Sequence, residues 1–213
     1  MKHLKILLLT IIFCNDITAQ DISIVAYEKL PEIETYVTNE MKQRKIPGLV
    51  FGIFQNDKLL MCKAYGKADL QNQAPVIPET VFELSSITKQ FTAAAILLLQ
   101  QDGKLTIDAP LKKHFPQCPN SWSEITLKHL LTHTSGLTGP DDYPGINKMT
   151  GERVRKEFAS WSKQFLIDAL IAQELSNQPG EVYYYSDAGY ALLGIVIDNI
   201  SGSYRNFLNE KIF

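Results

Sequence analysis

The sequence predicts an α+β protein: a helix, a two-stranded hairpin, then a mostly helical remainder. Three observations carry this reading. Residues 31–45 place Ile33, Tyr36, Val37 and Met41 on one side of a helix. Two apolar runs, Leu49 to Gln55 and Lys58 to Gly66, flank Asn56-Asp57, a hairpin signal. From Ser85 onward the pattern returns in helix-length pieces opened by capping residues.

Taken in order, residues 1–20 read as an export signal. Lys2 and Lys5 precede the apolar stretch Ile6 to Phe13, and Thr18-Ala19-Gln20 offers a small-residue exit. Phe13 is too bulky for a lipid-anchored Cys14. Residues 21–213 then form one domain, outside the cytoplasm. The longest later apolar run, Ala93 to Leu99, is far short of the ~18 residues a membrane span needs, so no span is expected once the signal is removed. Pro31 suits the first turn of its helix. Lys67 to Pro78 is polar with two prolines and reads as a loop, and Thr80 to Leu84 as a short extended piece.

The clearest helix starts near Ser85 or Ser86, runs through Phe91, Ala94, Ala95 and Leu98, and stops at Gly103. Thr126 is placed to cap Leu127 to His133. Ser162 is placed to cap a stretch with Phe165, Leu166, Leu170 and Ile171 on its apolar side. Gly139 to Ala159 reads as an exposed excursion. A last pair of helices, Asp187 to Ile200 and Tyr204 to Ile212, is broken at Ser201-Gly202.

Composition narrows the function. With 213 residues, 21 Lys+Arg against 23 Asp+Glu and 45% apolar content, the chain is neither disordered nor disulfide-dense. A net charge of -2 gives no electrostatic footprint for nucleic acid. Export would permit a Cys62–Cys118 bridge, although two small core residues is the plainer reading.

The search for chemistry is mostly negative. No G-x-S-x-G elbow and no phosphate-cradling or dinucleotide glycine loop occurs, so no cofactor is expected. His129 and His133 have a metal-compatible spacing but lack the Glu of H-E-x-x-H. No metal is expected, and a histidine bonding the backbone of the following Thr-Ser-Gly turn is preferred. The positive result is S-x-x-K, Ser86-Ile87-Thr88-Lys89. A serine in a first helical turn sits at the positive end of the dipole. A lysine three residues on shares its face, and desolvation could turn its amine into a base for serine attack. A helix cap beside a solvated lysine is the competing reading. A second copy, Ser160-Trp161-Ser162-Lys163, opens an ordinary amphipathic helix, whereas Ser86 opens a strongly apolar one.

The segment Phe82-Glu83-Leu84-Ser85-Ser86-Ile87-Thr88-Lys89-Gln90-Phe91 resembles the nucleophile segment of the β-lactamase-related serine hydrolases: class C β-lactamases, D-Ala-D-Ala carboxypeptidases, penicillin-binding proteins and esterases. Gly103-Lys104-Leu105, Leu130 to Leu137, Pro179-Gly180, Tyr185 to Tyr190 and Leu193-Gly194 agree in the same order. The resemblance implies a β-lactamase/transpeptidase-like fold, an antiparallel sheet with flanking helices plus a mostly helical region. It also implies Ser86 as nucleophile, with Lys89 and Tyr185 in catalytic proton exchange and Asp187 in substrate binding. The substrate would be a β-lactam, a D-amino-acid peptide or an ester. Asp187 stands where the family has Asn, so a group that donates and accepts becomes one that only accepts and carries charge. Tyr204-Arg205-Asn206 matches Tyr-x-Asn literally but follows the Ser-Gly break. No Lys-Thr-Gly, Lys-Ser-Gly or His-x-Gly occurs in these residues. The expectation is therefore that the C-terminal strands are missing. A catalytically incompetent fragment or a penicillin-binding sensor stands beside the hydrolase reading.

Overall fold

The structure, a computed structural model, describes residues 28–137 and 162–213. The export segment, the 139–159 excursion and Ser160-Trp161 lie outside them. The chain divides into two compact units, Met1–Glu83 and Leu84–Phe213.

In the first unit, helix α1 spans Leu30–Arg44 with Pro31 in its first turn, where a missing N–H costs nothing. It ends at Lys45, in the left-handed region at φ 55°. No residue of α1 is buried. Strands β1 (Gly48–Gln55) and β2 (Lys58–Asp69) pair antiparallel from Gly48 opposite Gly66 to Gln55 opposite Lys58, with an irregularity at Ile53/Phe54. Asn56 and Asp57 turn the hairpin with φ 47° and 60°, as a type I′ turn requires.

The expected loop at 67–78 contains structure. β2 runs on to Asp69, and a two-residue strand β3, Ala74–Pro75, pairs back to it. The cause is Asp69, whose carboxylate accepts the backbone N–H groups of Gln71 (2.8 Å) and Asn72 (2.9 Å) and reverses the chain. Pro75 is tolerated in this short pairing, where little ladder bonding is lost. Thr80 to Leu84, expected to be extended, forms no strand.

The second unit is helical. A 3₁₀ turn, Ser85–Ile87, leads into α2 (Thr88–Gln101), which ends at Gly103 with φ 69°. The chain then runs through 3₁₀ turns at Leu111–Lys113 and Asn120–Trp122. Gln100 Oε1 accepts from the Ile107 N–H at 2.8 Å, tying this stretch back to α2. Helix α3 (Leu127–Leu131) opens with a capping box between Thr126 and His129 and is shorter than expected. Helix α4 (Lys163–Ile171) is capped by Ser162, as expected, but Phe165 is half exposed. Leu166, Leu170 and Ile171 face the core as expected, joined by Ile167. Helices α5 (Asp187–Ser201) and α6 (Tyr204–Lys211) are separated by Gly202.

The core of this unit joins Ile96 and Leu99 of α2, Leu111, Phe115 and Trp122 of the connecting turns, Leu130 of α3, and Leu192, Leu193 and Ile197 of α5. All of these are essentially inaccessible to solvent. Burying each such side chain contributes ~1.5–3 kcal/mol. Cys62 and Cys118 are free thiols, and burial pushes the Cys118 thiol up to about 11. No helix of the described residues is long and apolar enough to cross a membrane.

Candidate active site

The N-terminus of α2 and the N-terminus of α5 meet in the second unit. Ser85 holds φ 48°, a strained conformation for a non-glycine residue, and Ser86 follows it in the 3₁₀ turn. One turn on, Lys89 Nζ lies 3.1 Å from Ser86 Oγ. The Tyr185 hydroxyl is 2.7 Å from the same oxygen, although 99 residues separate the two in sequence. Asp187, the first residue of α5, forms an ion pair with Lys89. Ser86, Lys89, Tyr185 and Asp187, all picked out from sequence, are therefore together. Ser86 and Tyr185 are exposed, and the Lys89 side chain is only 16% exposed.

Electrostatics distinguishes this lysine from the expected desolvated amine. Burial does pull the Lys89 ammonium down. Hydrogen bonds to Asp187 and Tyr185 and the Asp187 charge outweigh it, so the amine is held above its ordinary value. The Lys89 ammonium also faces the Tyr185 ring, 4.7 Å from its centroid.

Sequence reasoning weighed His133 only as a metal ligand or a turn contact. Its ring stacks on Tyr185 at 4.6 Å and on Tyr190 at 5.0 Å. Its Nδ1 accepts the Ser186 N–H at 3.1 Å, and its carbonyl accepts the Tyr184 N–H at 2.8 Å. One residue thus holds the backbone on both sides of Tyr185 and packs against its ring. Burial, then the nearby Lys89, push the imidazole below its usual value. The expected histidine contact with the Thr-Ser-Gly turn is not made by either imidazole. His129 Nδ1 instead accepts the Thr126 N–H at 3.3 Å, in the preceding cap. Only the His129 carbonyl reaches forward, to the Thr134 N–H. No local sequence signal marks this role, which arises from where His133, left-handed at φ 58° just after α3, meets the Tyr185 segment.

Gly136 completes the support. At φ 77° a Cβ there would lie 2.1 Å from the Asn177 carbonyl oxygen, and its own carbonyl accepts the Ser176 N–H at 2.9 Å. Gly180 N–H reaches the Thr134 carbonyl at 2.7 Å, so the strand of chain approaching Tyr185 is laid along residues 133–136. Ser186, buried, caps α5 by accepting the Gly189 N–H at 3.1 Å.

Beside Lys89 lies a cavity of about 280 Å³ lined by Ser85, Thr88, Thr92, Tyr190 and Tyr204 among others. Tyr204, of the literal Tyr-x-Asn, bonds Thr92 at 2.8 Å and not Ser86. Lys163, of the second S-x-x-K, is occupied by an ion pair with Asp198. Among the described residues no cluster of three His, Cys, Asp or Glu side chains could hold a metal.

A serine, a lysine and a tyrosine thus converge at the head of α2. Residues 33–213 match the profile of the Beta-lactamase family, and the chain belongs to that family, whose members are serine hydrolases. It is 32% identical over 185 residues to Protein flp of Staphylococcus aureus (strain NCTC 8325 / PS 47), covering 84% of this chain and 35% of that one. It is 34% identical over 164 residues to penicillin-binding protein 4* of Bacillus subtilis (strain 168), covering 73% and 33%. Among solved structures, the octameric penicillin-binding protein homologue from Pyrococcus abyssi superposes with a TM-score of 0.70 at 30% identity, over 86% of this chain and 42% of that one. The chain thus spans about a third of the length of the curated relatives it matches. The likeness is to proteins of β-lactamase/transpeptidase-like fold, as the motifs implied.

Proposed function

We propose that Ser86 is the nucleophile of an acyl-transfer reaction on a β-lactam, a D-amino-acid peptide or an ester. The observation that carries this is the convergence of the Lys89 ammonium and the Tyr185 hydroxyl on a single exposed serine oxygen, at 3.1 and 2.7 Å. In the forward step Ser86 Oγ bonds to the acyl carbon and its proton passes through the Tyr185 hydroxyl to the leaving group, whose bond to that carbon breaks. Lys89 offsets the negative charge that develops, from a position fixed by Asp187. Water then releases the acyl group along the reverse route. Nothing in this scheme uses a metal or cofactor. The basic-then-apolar start of the chain supports an exported enzyme acting outside the cytoplasm.

A fluorophosphonate and a labelled penicillin, each followed by mass spectrometry of the modified peptide, test the assignment. Modification at Ser86 with turnover of a chromogenic ester is the expected result. Modification without turnover would instead make the chain a penicillin-binding sensor, and a chain that neither probe modifies, while a full-length relative is modified, would overturn the assignment of Ser86 as an active nucleophile.

A further inference from the structure

Beyond the identity of the nucleophile, the charges around it bear on which acyl donors it accepts. Among the described residues of the second unit, the Ser86 hydroxyl meets one cation, Lys89, and that cation is paired with one carboxylate, Asp187. His133, stacked on the Tyr185 ring, is held below its usual value by burial and by the nearby Lys89. Lys89 therefore brings no net charge to the site, because Asp187 cancels it. The cancellation is lopsided in space. The Lys89 side chain is 16% exposed and hidden behind the Tyr185 ring, while the Asp187 side chain is 53% exposed. A molecule entering from solvent meets the carboxylate more openly than the ammonium. Asp187 also lies in the first turn of α5, at the positive end of the helix dipole, where a negative charge is favoured.

We infer that Asp187 makes Ser86 selective for acyl donors that carry no carboxylate near the scissile bond, placing uncharged or cationic esters and amides ahead of anionic β-lactams and peptide carboxylates. The inference rests on Ser86 being the nucleophile. It assigns the specificity-determining role to a residue joined to the reacting oxygen through Lys89. A carboxylate held ~6 Å from Asp187, with the paired Lys89 set back over the Tyr185 ring, is repelled by an amount worth up to about tenfold in affinity.

The test uses two probes that bond reversibly to a nucleophilic serine and need no turnover, phenylboronic acid and 4-carboxyphenylboronic acid. In both, the Ser86 Oγ–B bond forms and the hydroxyl proton leaves to solvent, so the charge gained at boron is common and cancels in the ratio. Expected for the unmodified protein is a preference for the neutral probe of about tenfold at low salt, shrinking as salt screens Asp187. In Asp187→Asn the preference should fall about tenfold, because the Lys89 ammonium is then unopposed. A purely structural role for Asp187 would weaken both probes alike and leave the ratio unmoved. An equal ratio in the two proteins overturns the inference while leaving the nucleophile intact. Should neither probe form an adduct with either protein, the nucleophile assignment falls and takes this inference with it. Salt dependence in the unmodified protein alone provides a second readout if Asp187→Asn fails to fold, and a salt-independent ratio would also overturn the inference.

Discussion

The described residues of the two units, 28–83 against 84–137 and 162–213, bury their apolar side chains to very different degrees. In the first unit, Met61 and Val76 are the buried apolar residues among those described, while α1 buries none and Tyr36, Phe54 and Leu59 are largely exposed. In the second, α2, α3, α5 and the turns between them enclose a continuous core around Trp122, Leu130 and Leu192. The first unit is held chiefly by backbone pairing and turn chemistry, which fix local shape, and the second by side-chain packing, which fixes positions across long sequence distances. Catalytic geometry needs the second kind of order. Ser86 and Tyr185 stay 2.7 Å apart only because α2 and α5 share a core.

The largest effect should follow from removing the reactive atom. Ser86→Ala is expected to abolish fluorophosphonate labelling, and Lys89→Met to slow it by ~10²–10⁴, the usual range for losing a group that manages proton transfer. Both variants should keep the melting temperature of the parent within a few degrees, since neither side chain belongs to the core. Labelling that persists in Ser86→Ala would place the reactive group outside this helix junction.

Next in size is the contrast in packing. Leu130→Ala empties a fully buried site that touches Gly189 near the start of α5, and a loss of ~2–5 kcal/mol is expected in denaturant unfolding. Leu59→Ala, at a position 53% exposed on β2, should cost less than about 0.5 kcal/mol. Similar losses at the two positions would break the distinction between a packed unit and one held by turns.

How much of this was legible beforehand follows the same division. Ser86 and Lys89 were readable because their relation is local: three residues apart on one helix face. The caps at Thr126 and Ser162 and the Asn56-Asp57 hairpin turn were readable for the same reason. Tyr185 was reached only through resemblance, since nothing local ties it to a serine 99 residues away. The charge at Asp187 was legible, but whether it would hold Lys89 protonated was left open, because that depends on how deeply Lys89 is packed. His133 was weighed as a metal ligand or turn contact, and its stacking on Tyr185 and Tyr190 depends on tertiary placement that spacing does not encode. Strand β3 was missed for a smaller reason. The Asp69 turn that creates it is a side-chain effect hidden inside a polar, proline-bearing stretch.

His133 also gives the second unit a pH response. Its Nδ1 can accept the Ser186 N–H only when that nitrogen is unprotonated, and burial with Lys89 holds the imidazole below the ~6.5 of an unfolded chain. A group with a lowered folded-state value contributes stability that is fully present above the unfolded value and lost as pH falls through the folded one. Labelling of Ser86 should therefore decline in acid, by about tenfold for each pH unit below the folded-state value. In His133→Phe, which keeps a stacking ring but cannot titrate, that acid limb should disappear even if the overall rate is lower. An unchanged limb would assign the titration to another group.

The smallest effect tests the first unit on its own terms. Asp57 occupies the second central position of the hairpin turn at φ 60°, where an L side chain is strained and glycine is not. Asp57→Gly relieves that strain but frees the unfolded chain, so the two terms partly cancel and a net gain of a few tenths of a kcal/mol is expected. A gain of that size is invisible in a global melt, yet it should be readable by hydrogen exchange. Amides of the β1–β2 ladder, such as those near Gly52 and Cys62, should exchange up to about twofold more slowly, because their protection comes from the hairpin. Amides of α5 around Leu192 and Val196 should not change, because their opening is controlled by the packed core. If those amides slowed by the same factor, the two units would open as one cooperative body. The division between turn-held and core-held structure would then describe local packing without describing how the protein comes apart.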